Sequence, residues 1–217
     1  MENHQEKFKE FVEELHDANE NSITEIYNKT ANLILNHGFI KVNEKKFKIR
    51  EIEFYYYSEE EHEDIFTHGF SNDEKDENSK KAKVKQLTSF QWYFHPNLTG
   101  VDLTIGNKNN FGGILIRGIN DEKGKLIDGP FNVLKTILDE QTESIFERNS
   151  INIFFGEIET KTEKIIVSSR RIGLNKEKRD PKEFLKRSYR YLLLERDIKN
   201  NTKNNNTKMQ KLKTILS

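Results

Sequence analysis

The periodicity of the apolar residues changes at Gly38, and this change is the strongest constraint on the fold. Before it, apolar side chains recur every three to four residues, which is typical of amphipathic helices. After it, segments alternate between apolar and polar residues and are rich in aromatic and β-branched side chains, which indicates strands. Helices followed by a run of strands are typical of an α+β fold. We therefore predict N-terminal helices over 1–38 and then a curved, mostly antiparallel β-region with one inserted helix.

Three helices are predicted. The first covers 4–19 and has one apolar side, formed by Phe8, Phe11, Val12 and Leu15. The second begins at a capping box of Ser22 and Glu25 and ends at Gly38, a typical C-terminal stop. The third begins at Asp128-Gly129-Pro130, because proline suits the first helical position.

The remaining elements are strands and polar segments. Strands are predicted at 39–43, 47–57, 89–95, 100–106, 111–118, 151–158 and 164–168, with a last apolar run at 191–195. Residues 71–86 are polar and show no periodicity, so we predict a mobile charged loop. Residues 198–217 include a low-complexity polar stretch and are predicted to form a tail. The rest, 1–197, is predicted to be a single domain.

Composition excludes several classes of protein. The chain has no cysteine, which excludes disulfides, thiolate nucleophiles and cysteine metal sites. No segment approaches the roughly 18 apolar residues that a membrane span requires. The first residues also lack the basic and then apolar profile of a signal peptide. We expect a cytoplasmic protein, of bacterial cytoplasm or nucleoid type, with no membrane partner.

The formal net charge is zero, but the charge is unevenly distributed. Residues 51–78 contain eleven acidic residues and one lysine, whereas residues 161–190 contain eleven basic residues and four acidic ones. A local basic patch is enough to bind nucleic-acid phosphates, although a basic run is often only a solvated surface. The candidate phosphate contacts are Arg170, Arg171, Lys176, Lys178 and Arg179.

Common catalytic motifs are absent from the sequence. It has no GxxxxGK[ST] phosphate loop, no HExxH and no GxSxG. The glycine-rich segment 106–113 lies between two predicted strands and does not open a helix, as a phosphate-binding loop would. His62 and His68 flank Asp64, but this spacing is only a weak indication of a metal site. We therefore expect no metal and no cofactor.

Several short motifs nevertheless follow one another in a distinctive order. They are Glu51-x-Glu53-x-Tyr55, Asp64-x-x-x-His68, Phe90-x-Trp92-Tyr93-Phe94-His95, Gly100-Val101-Asp102, Gly113-Ile114-Leu115-Ile116-Arg117, Gly129-Pro130 and Arg171-Ile172-Gly173-Leu174. In this order the sequence resembles the alkyladenine (3-methyladenine or methylpurine) DNA glycosylase family, over roughly residues 28–195. The resemblance implies that family's fold, which is similar to the formyltransferase C-terminal domain.

The resemblance implies a reaction and its catalytic residues. Enzymes of this family flip a damaged base out of double-stranded DNA and hydrolyse its N-glycosidic bond. Glu53 matches the glutamate that activates water, and Arg117 matches the arginine that holds that site. A carboxylate suits this role because it can take the proton of water and stabilise an oxocarbenium-like sugar. No lysine is placed to form a Schiff base, so the implied reaction is monofunctional, without a metal, in a monomeric enzyme.

The resemblance also implies residues that bind the base and the DNA. Tyr55, His68 and Trp92 match an aromatic cage around the flipped base, because flipped bases are held between aromatic side chains. Asp102 matches the asparagine on the pocket floor. His95 falls where the family places the residue that wedges into the duplex, with Tyr93 beside it as a further DNA contact.

The sequence departs from the family in ways that leave alternatives open. Trp92 and His95 replace tyrosines, and Asp102 replaces asparagine. The acidic segment 58–78 lengthens the connection before Asp64 and continues after His68, where the family has a loop rich in arginine and asparagine. An ionised aspartate only accepts hydrogen bonds, so the pocket is expected to favour a base that presents an amine or a positive charge. The alternatives are a nucleic-acid-binding relative without catalysis, or an N-glycoside hydrolase for a hypermodified or free nucleoside. Without the resemblance, Glu51 and Glu53 would be read as a solvated sheet face.

Overall fold

The computed structural model describes residues 4–71, 73, 75–140, 152–156 and 162–197. The helices are α1 (His4–His16), α2 (Glu20–His37), α3 (Glu77–Gln86) and α4 (Pro130–Asp139). The first strands are β1 (Gly38–Val42), β2 (Lys45–Ser58), β3 (His62–Glu63), β4 (Ser89–Phe94) and β5 (Val101–Ile105). The later strands are β6 (Phe111–Asn120), β7 (Leu126–Asp128), β8 (Asn152–Phe155), β9 (Thr162–Ser169) and β10 (Arg190–Asp197).

These strands form one large open sheet, and the fold is of the α+β class, as predicted. Within the described ranges the main path runs β4-β5-β6-β2-β1-β8, and β10 joins β2 to β9. The strand pairs of this path and those of β10 are antiparallel. The predicted N-terminal helices precede this sheet and cover one of its faces.

Strand β2 is the axis of the sheet and carries a β-bulge. Its pairing with β6 shifts register between Ile49 and Ile52. Before the bulge the buried side chains are Phe47 and Ile49, and after it they are Ile52, Phe54 and Tyr56. The extra residue of the bulge thus moves the core-facing positions from odd-numbered residues to even-numbered ones. The same shift places Glu51, Glu53 and Tyr55 together on the opposite face.

The core lies between the two N-terminal helices and the inner face of the sheet. Tyr27 of α2 stacks on Phe54 of β2 with 4.3 Å between ring centroids, and Tyr189 meets the edge of Tyr27 at 4.9 Å. Tyr27, Phe54 and Tyr189 are each at most 1% exposed. This packing fixes the position of β2, so the outer face of β2 is presented on a rigid support.

Two local predictions are wrong. Helix α2 begins at Glu20, and Asn19 is its N-cap, accepting hydrogen bonds from the amides of Asn21 and Ser22. The predicted capping box at Ser22 does not form because that residue already lies in the first turn. Residues 77–86 of the predicted mobile loop form α3, whose N-cap is Asp76.

Periodicity missed α3 because the helix buries little. Only Ala82 and Gln86 are buried in it, so no apolar stripe marks its sequence. The amide of Gln86 donates to the main-chain oxygen of His68 at 3.0 Å. Gly69 lies against the backbone of Lys83, where a β-carbon would come within 2.6 Å. Helix α3 therefore supports the segment that carries His68.

Two further predictions fall at the limits of the described chain. The strand predicted at 151–158 is seen as β8, whereas 151, 157 and 158 lie outside the described residues, as does the predicted tail 198–217. Among the described helices, none has the length and apolar character needed to cross a membrane.

Candidate active site

A row of opposed residues crosses the outer face of the sheet. Glu53 of β2 pairs with Leu115 of β6, Leu115 pairs with Asp102 of β5, and Asp102 pairs with Tyr93 of β4. Directly opposed residues in antiparallel strands point to the same face. Glu53, Asp102 and Tyr93 therefore share the face that is turned away from the N-terminal helices. Tyr55, two residues beyond Glu53, lies on this face as well.

A cleft of about 990 Å³ opens over this row. Its walls come from five parts of the chain: the outer face of the sheet, the segment after β3, the β4–β5 turn, the start of α4 and the segment 172–178. The residues that line the cleft include Tyr55, His68, His95, Asp102, Arg117 and Lys178. This volume is in the upper part of the range typical of small-ligand sites.

Glu53 lies at the base of this arrangement and is 0% exposed. Its carboxylate accepts hydrogen bonds from the hydroxyl of Tyr55 at 2.7 Å, the amide of Ile172 at 2.8 Å and Nη1 of Arg117 at 3.4 Å. Burial raises the pKa of Glu53, and these donors together with the charge of Arg117 oppose that shift. The result is a carboxylate held in one orientation and more basic than an exposed one.

A charge network supports Glu53 from below. Arg117 donates from Nε to Glu51 at 2.9 Å, and Arg190 donates from Nε to the same oxygen at 2.7 Å. Burial acts to lower the pKa of Arg117, but Glu53 and Glu51 outweigh it and raise that pKa. The two negative charges of Glu51 and Glu53 are thus compensated by the positive charges of Arg117 and Arg190. Arg117 bridges the two carboxylates.

Two histidines and Asp102 form a second group in the cleft wall. Nε2 of His95 lies 2.7 Å from Oδ1 of Asp102, and the rings of His68 and His95 are 4.1 Å apart. Burial lowers the pKa of His68, and the neighbouring His95 adds to the effect. Burial also acts to lower the pKa of His95, but Asp102 outweighs it and raises that pKa. One oxygen of Asp102 is therefore already paired with His95.

Three predicted roles are corrected by this geometry. The side chain of His95 is only 10% exposed and points to Asp102, so it cannot wedge into a duplex. Tyr93 is buried against His68 and His95, so it supports these rings and does not contact DNA. Trp92 pairs with Leu103 and lies on the opposite face, against the core, so it does not belong to the base cage.

Arg171 is also not a DNA contact. Its side chain is 0% exposed and forms a two-pronged ion pair with Asp64, with Nη1–Oδ2 and Nη2–Oδ1 distances of 2.5 and 3.0 Å. Nη1 also donates to the carbonyl of Phe54, and the guanidinium lies 4.5 Å from the ring centroid of Tyr55. The sequence predicted a phosphate contact because arginine in a basic run gives no sign of its burial.

The other basic candidates divide into two groups. Arg170, Lys176 and Arg179 are exposed and remain candidates for phosphate contact. Lys178 is half-buried and lines the cleft, where it donates to the carbonyl of Ile65 and lies 4.8 Å from the ring centroid of Phe70. Burial lowers the pKa of Lys178. This lysine therefore faces the cleft and not the outer surface.

Sequence reasoning missed two features of the site. The amide of Ile172 holds Glu53, and a main-chain donor leaves no signal in the residue types. Leu98 lies in the short turn between β4 and β5, is 50% exposed and has a left-handed backbone with φ of 53°. Leu98 follows Pro96 in the turn, beside the cleft residue Thr99. The sequence shows a leucine after a proline in a short turn, but it does not show that this leucine is exposed.

Comparisons with known proteins leave the activity open. No protein-family model matches the chain. The chain is similar to "Uncharacterized protein L759" of Acanthamoeba polyphaga mimivirus, with 26% identity over 222 residues. The alignment covers 86% of this chain and 93% of the viral protein.

Proposed function

We propose that this chain is a monofunctional DNA glycosylase that removes an alkylated or otherwise modified base from double-stranded DNA. The observation that carries the proposal is the buried carboxylate of Glu53 beneath a cleft of about 990 Å³, which has room for a flipped nucleotide. The resemblance of the ordered motifs to the alkyladenine glycosylases supports the same assignment. In that role Glu53 takes the proton of the attacking water, and the negative charge of its carboxylate stabilises the cationic sugar.

The surroundings of Glu53 suit this chemistry. Water attacks C1′ of the sugar, its proton goes to Glu53, and the bonding electrons of the C1′–N bond leave with the base. A base that carries a positive charge leaves as a neutral molecule, so it needs no proton from the protein. In the free protein the hydroxyl of Tyr55 occupies one oxygen of Glu53. Substrate binding must exchange this hydrogen bond for one from water, and Arg117 keeps the carboxylate in place meanwhile.

Base recognition rests on Tyr55, His68 and Asp102. One face of the Tyr55 ring is covered by Arg171, so a base can stack only on the other face. Base stacking on aromatic side chains contributes roughly 1–3 kcal/mol. Asp102 presents oxygens, but one of them already binds His95, which leaves the other for a base amine. A modified base with an exocyclic amine or a positive charge is the substrate class that fits this wall.

DNA binding is assigned to the rim of the cleft. Leu98 is the apolar side chain placed to fill the gap left by a flipped base, a role that apolar wedges play in other proteins that distort DNA. Arg170, Lys176 and Arg179 are exposed near the cleft segment 172–178 and are assigned to phosphates. Each such contact contributes to a salt-dependent affinity.

The test is release of bases from defined DNA. Duplex oligonucleotides treated with a methylating agent, or containing hypoxanthine or ethenoadenine, are incubated with the wild-type chain, Glu53→Gln and the control Glu59→Gln, which changes an exposed residue. Abasic sites are scored as alkali-labile breaks. We expect breaks with the wild type and the control, and a loss of about 10²–10⁴-fold with Glu53→Gln. Breaks that are independent of Glu53 would overturn the proposal.

A second candidate is an N-glycoside hydrolase for free or hypermodified nucleosides. Two carboxylate residues, Asp76 and Glu177, also line the cleft, and they disfavour a nearby phosphate backbone. Salt separates the two candidates, since only a polymer releases many counterions on binding. Turnover of a nucleoside that is indifferent to salt and still requires Glu53 would favour this second candidate. DNA binding with no turnover of any substrate would instead indicate a binding module.

A further inference from the structure

Three potential metal ligands converge in the wall of the cleft. His68 follows β3, His95 follows β4, and Asp102 lies within β5. Each offers one ligand atom, and these atoms all lie within 4.8 Å of one another. Among the residues that the structure describes, these three form a group of histidine and carboxylate side chains close enough together to hold one metal ion. Their separation in sequence explains why no spacing motif revealed them.

We propose that His68, His95 and Asp102 form a binding site for a divalent transition-metal ion of the Zn²⁺ type. Two imidazoles and one carboxylate are ligands that such ions accept, with metal–ligand distances of about 2.0–2.2 Å. Tetrahedral geometry at those distances separates the ligand atoms by about 3.3–3.6 Å. The 2.7 Å between Nε2 of His95 and Oδ1 of Asp102 is shorter than this separation, so these two atoms must move apart by about 0.6–0.9 Å to bind one ion.

One buried ring nitrogen in this group makes no hydrogen bond within the described chain. Nδ1 of His68 is buried and has no hydrogen-bond partner within the described chain. A buried polar atom without a partner costs about 1–3 kcal/mol, so such atoms usually have an explanation. His62 shows the contrast, because both of its ring nitrogens have partners, the carbonyl of Tyr56 and the hydroxyl of Tyr189. His62 is a structural histidine, whereas one ring nitrogen of His68 has no hydrogen-bond partner within the described chain.

The supports of the three ligands come from different elements. Helix α3 holds the main chain of His68 through Gln86. Gly113 leaves the space that the side chain of Asp102 occupies, since a β-carbon there would come within 2.8 Å of Cβ of Asp102. Tyr93 packs against both imidazoles. The ligands are thus held close together by packing, which is the arrangement that a metal site requires.

The site has the character of an open metal centre. Three protein ligands leave at least one position free on a tetrahedral ion, as in catalytic zinc sites. All three residues line the cleft, so the free position is accessible from it. A water molecule, or a ring nitrogen or exocyclic oxygen of the bound base, is the class of ligand that this position takes. The inference extends beyond the proposed glycosylase reaction and does not depend on Glu53.

The test is direct measurement of Zn²⁺ binding. The full-length chain is freed of metal with a chelator, the chelator is removed, and Zn²⁺ is titrated in competition with a chromophoric chelator. We expect one equivalent to bind to the wild type, and affinity to fall at least tenfold in His68→Ala and in Asp102→Asn. Asp128→Asn, a change at an exposed aspartate, is the matched control and is expected to stay within twofold.

A spectroscopic measurement guards against misfolded variants. Co²⁺ bound to the wild type is expected to give the visible absorption of a four- or five-coordinate ion with nitrogen and oxygen ligands, and Zn²⁺ is expected to abolish it. Circular dichroism shows which variants are folded. The proposal is overturned if the wild type binds no equivalent of Zn²⁺, or if folded His68→Ala and Asp102→Asn retain its affinity. Base release by the wild type is measured separately, so failure of the metal proposal and failure of the glycosylase proposal can be told apart.

Discussion

Replacing Arg171 by methionine tests the assignment of this residue to the interior. The structure pairs Arg171 with Asp64 in a buried ion pair that also binds the carbonyl of Phe54. Asp64 outweighs the effect of burial and holds the pKa of Arg171 above its ordinary value. The pair links the segment after β3 to the segment that supplies the amide of Ile172, so it fixes two walls of the cleft.

The Arg171→Met variant is expected to lose stability because the buried charge of Asp64 is left without its partner. Removing one member of a buried ion pair costs about 3–5 kcal/mol, because the other charge is left in a medium of low polarity. In a domain of this size 1 kcal/mol lowers Tm by about 2–4 °C, so Arg171→Met is expected to lower Tm by about 6–20 °C. Arg170→Met, a change at the exposed neighbour, is expected to change the free energy of unfolding by less than about 0.5 kcal/mol.

The assay is urea unfolding of the wild type, Arg171→Met, Asp64→Leu and the double variant. The double variant is expected to lose less than the sum of the two single variants, because it removes both charges. The reasoning is refuted if Arg171→Met keeps the wild-type stability but binds DNA more weakly, with a salt slope reduced by about one. That result would make Arg171 a phosphate contact after all.

Three further predictions concern pH, the cleft wall and its rim. Burial lowers the pKa of His62 to about 4, so as the pH falls the unfolded chain takes up a proton on this residue before the folded chain does. The free energy of unfolding should therefore fall by about 3 kcal/mol as the pH drops from about 6.5 to 4. Urea unfolding of His62→Asn at several pH values should show a flatter profile in this range. Gly113→Ala should displace Asp102, cost about 1–3 kcal/mol in urea unfolding and weaken Zn²⁺ binding at least tenfold, whereas unchanged values would contradict the close approach. Leu98→Ala should slow base release from duplex DNA about tenfold and from single-stranded DNA less than twofold, and equal effects on both would exclude a wedge.

The sequence was informative where a residue's neighbours along the chain determine its surroundings. The alternation of β2 predicted that Glu53 and Tyr55 share a face, and the register of the sheet confirms it. The change of periodicity at Gly38 predicted where the helices give way to strands, and β1 begins there. Long, strongly periodic elements are the part of a fold that local patterns specify best.

The sequence was uninformative where distant segments meet. Trp92 and Tyr93 are adjacent aromatics, and only the register with β5 decides which of them faces the cleft. The burial of Arg171 depends on Asp64, which is 107 residues earlier in the chain. Helix α3 has no apolar stripe, so its stability rests on its N-cap and on contacts that periodicity does not record.

Base release at single turnover tests the central claim most directly. One duplex oligonucleotide that carries the best modified base is mixed with excess wild type or Glu53→Gln, and the free base is quantified over time together with the Kd for the same DNA. We expect release by the wild type and a rate about 10²–10⁴-fold lower for Glu53→Gln, with Kd unchanged within threefold. Equal rates for the two proteins, or no release of any modified base by the wild type, would contradict the role given to Glu53.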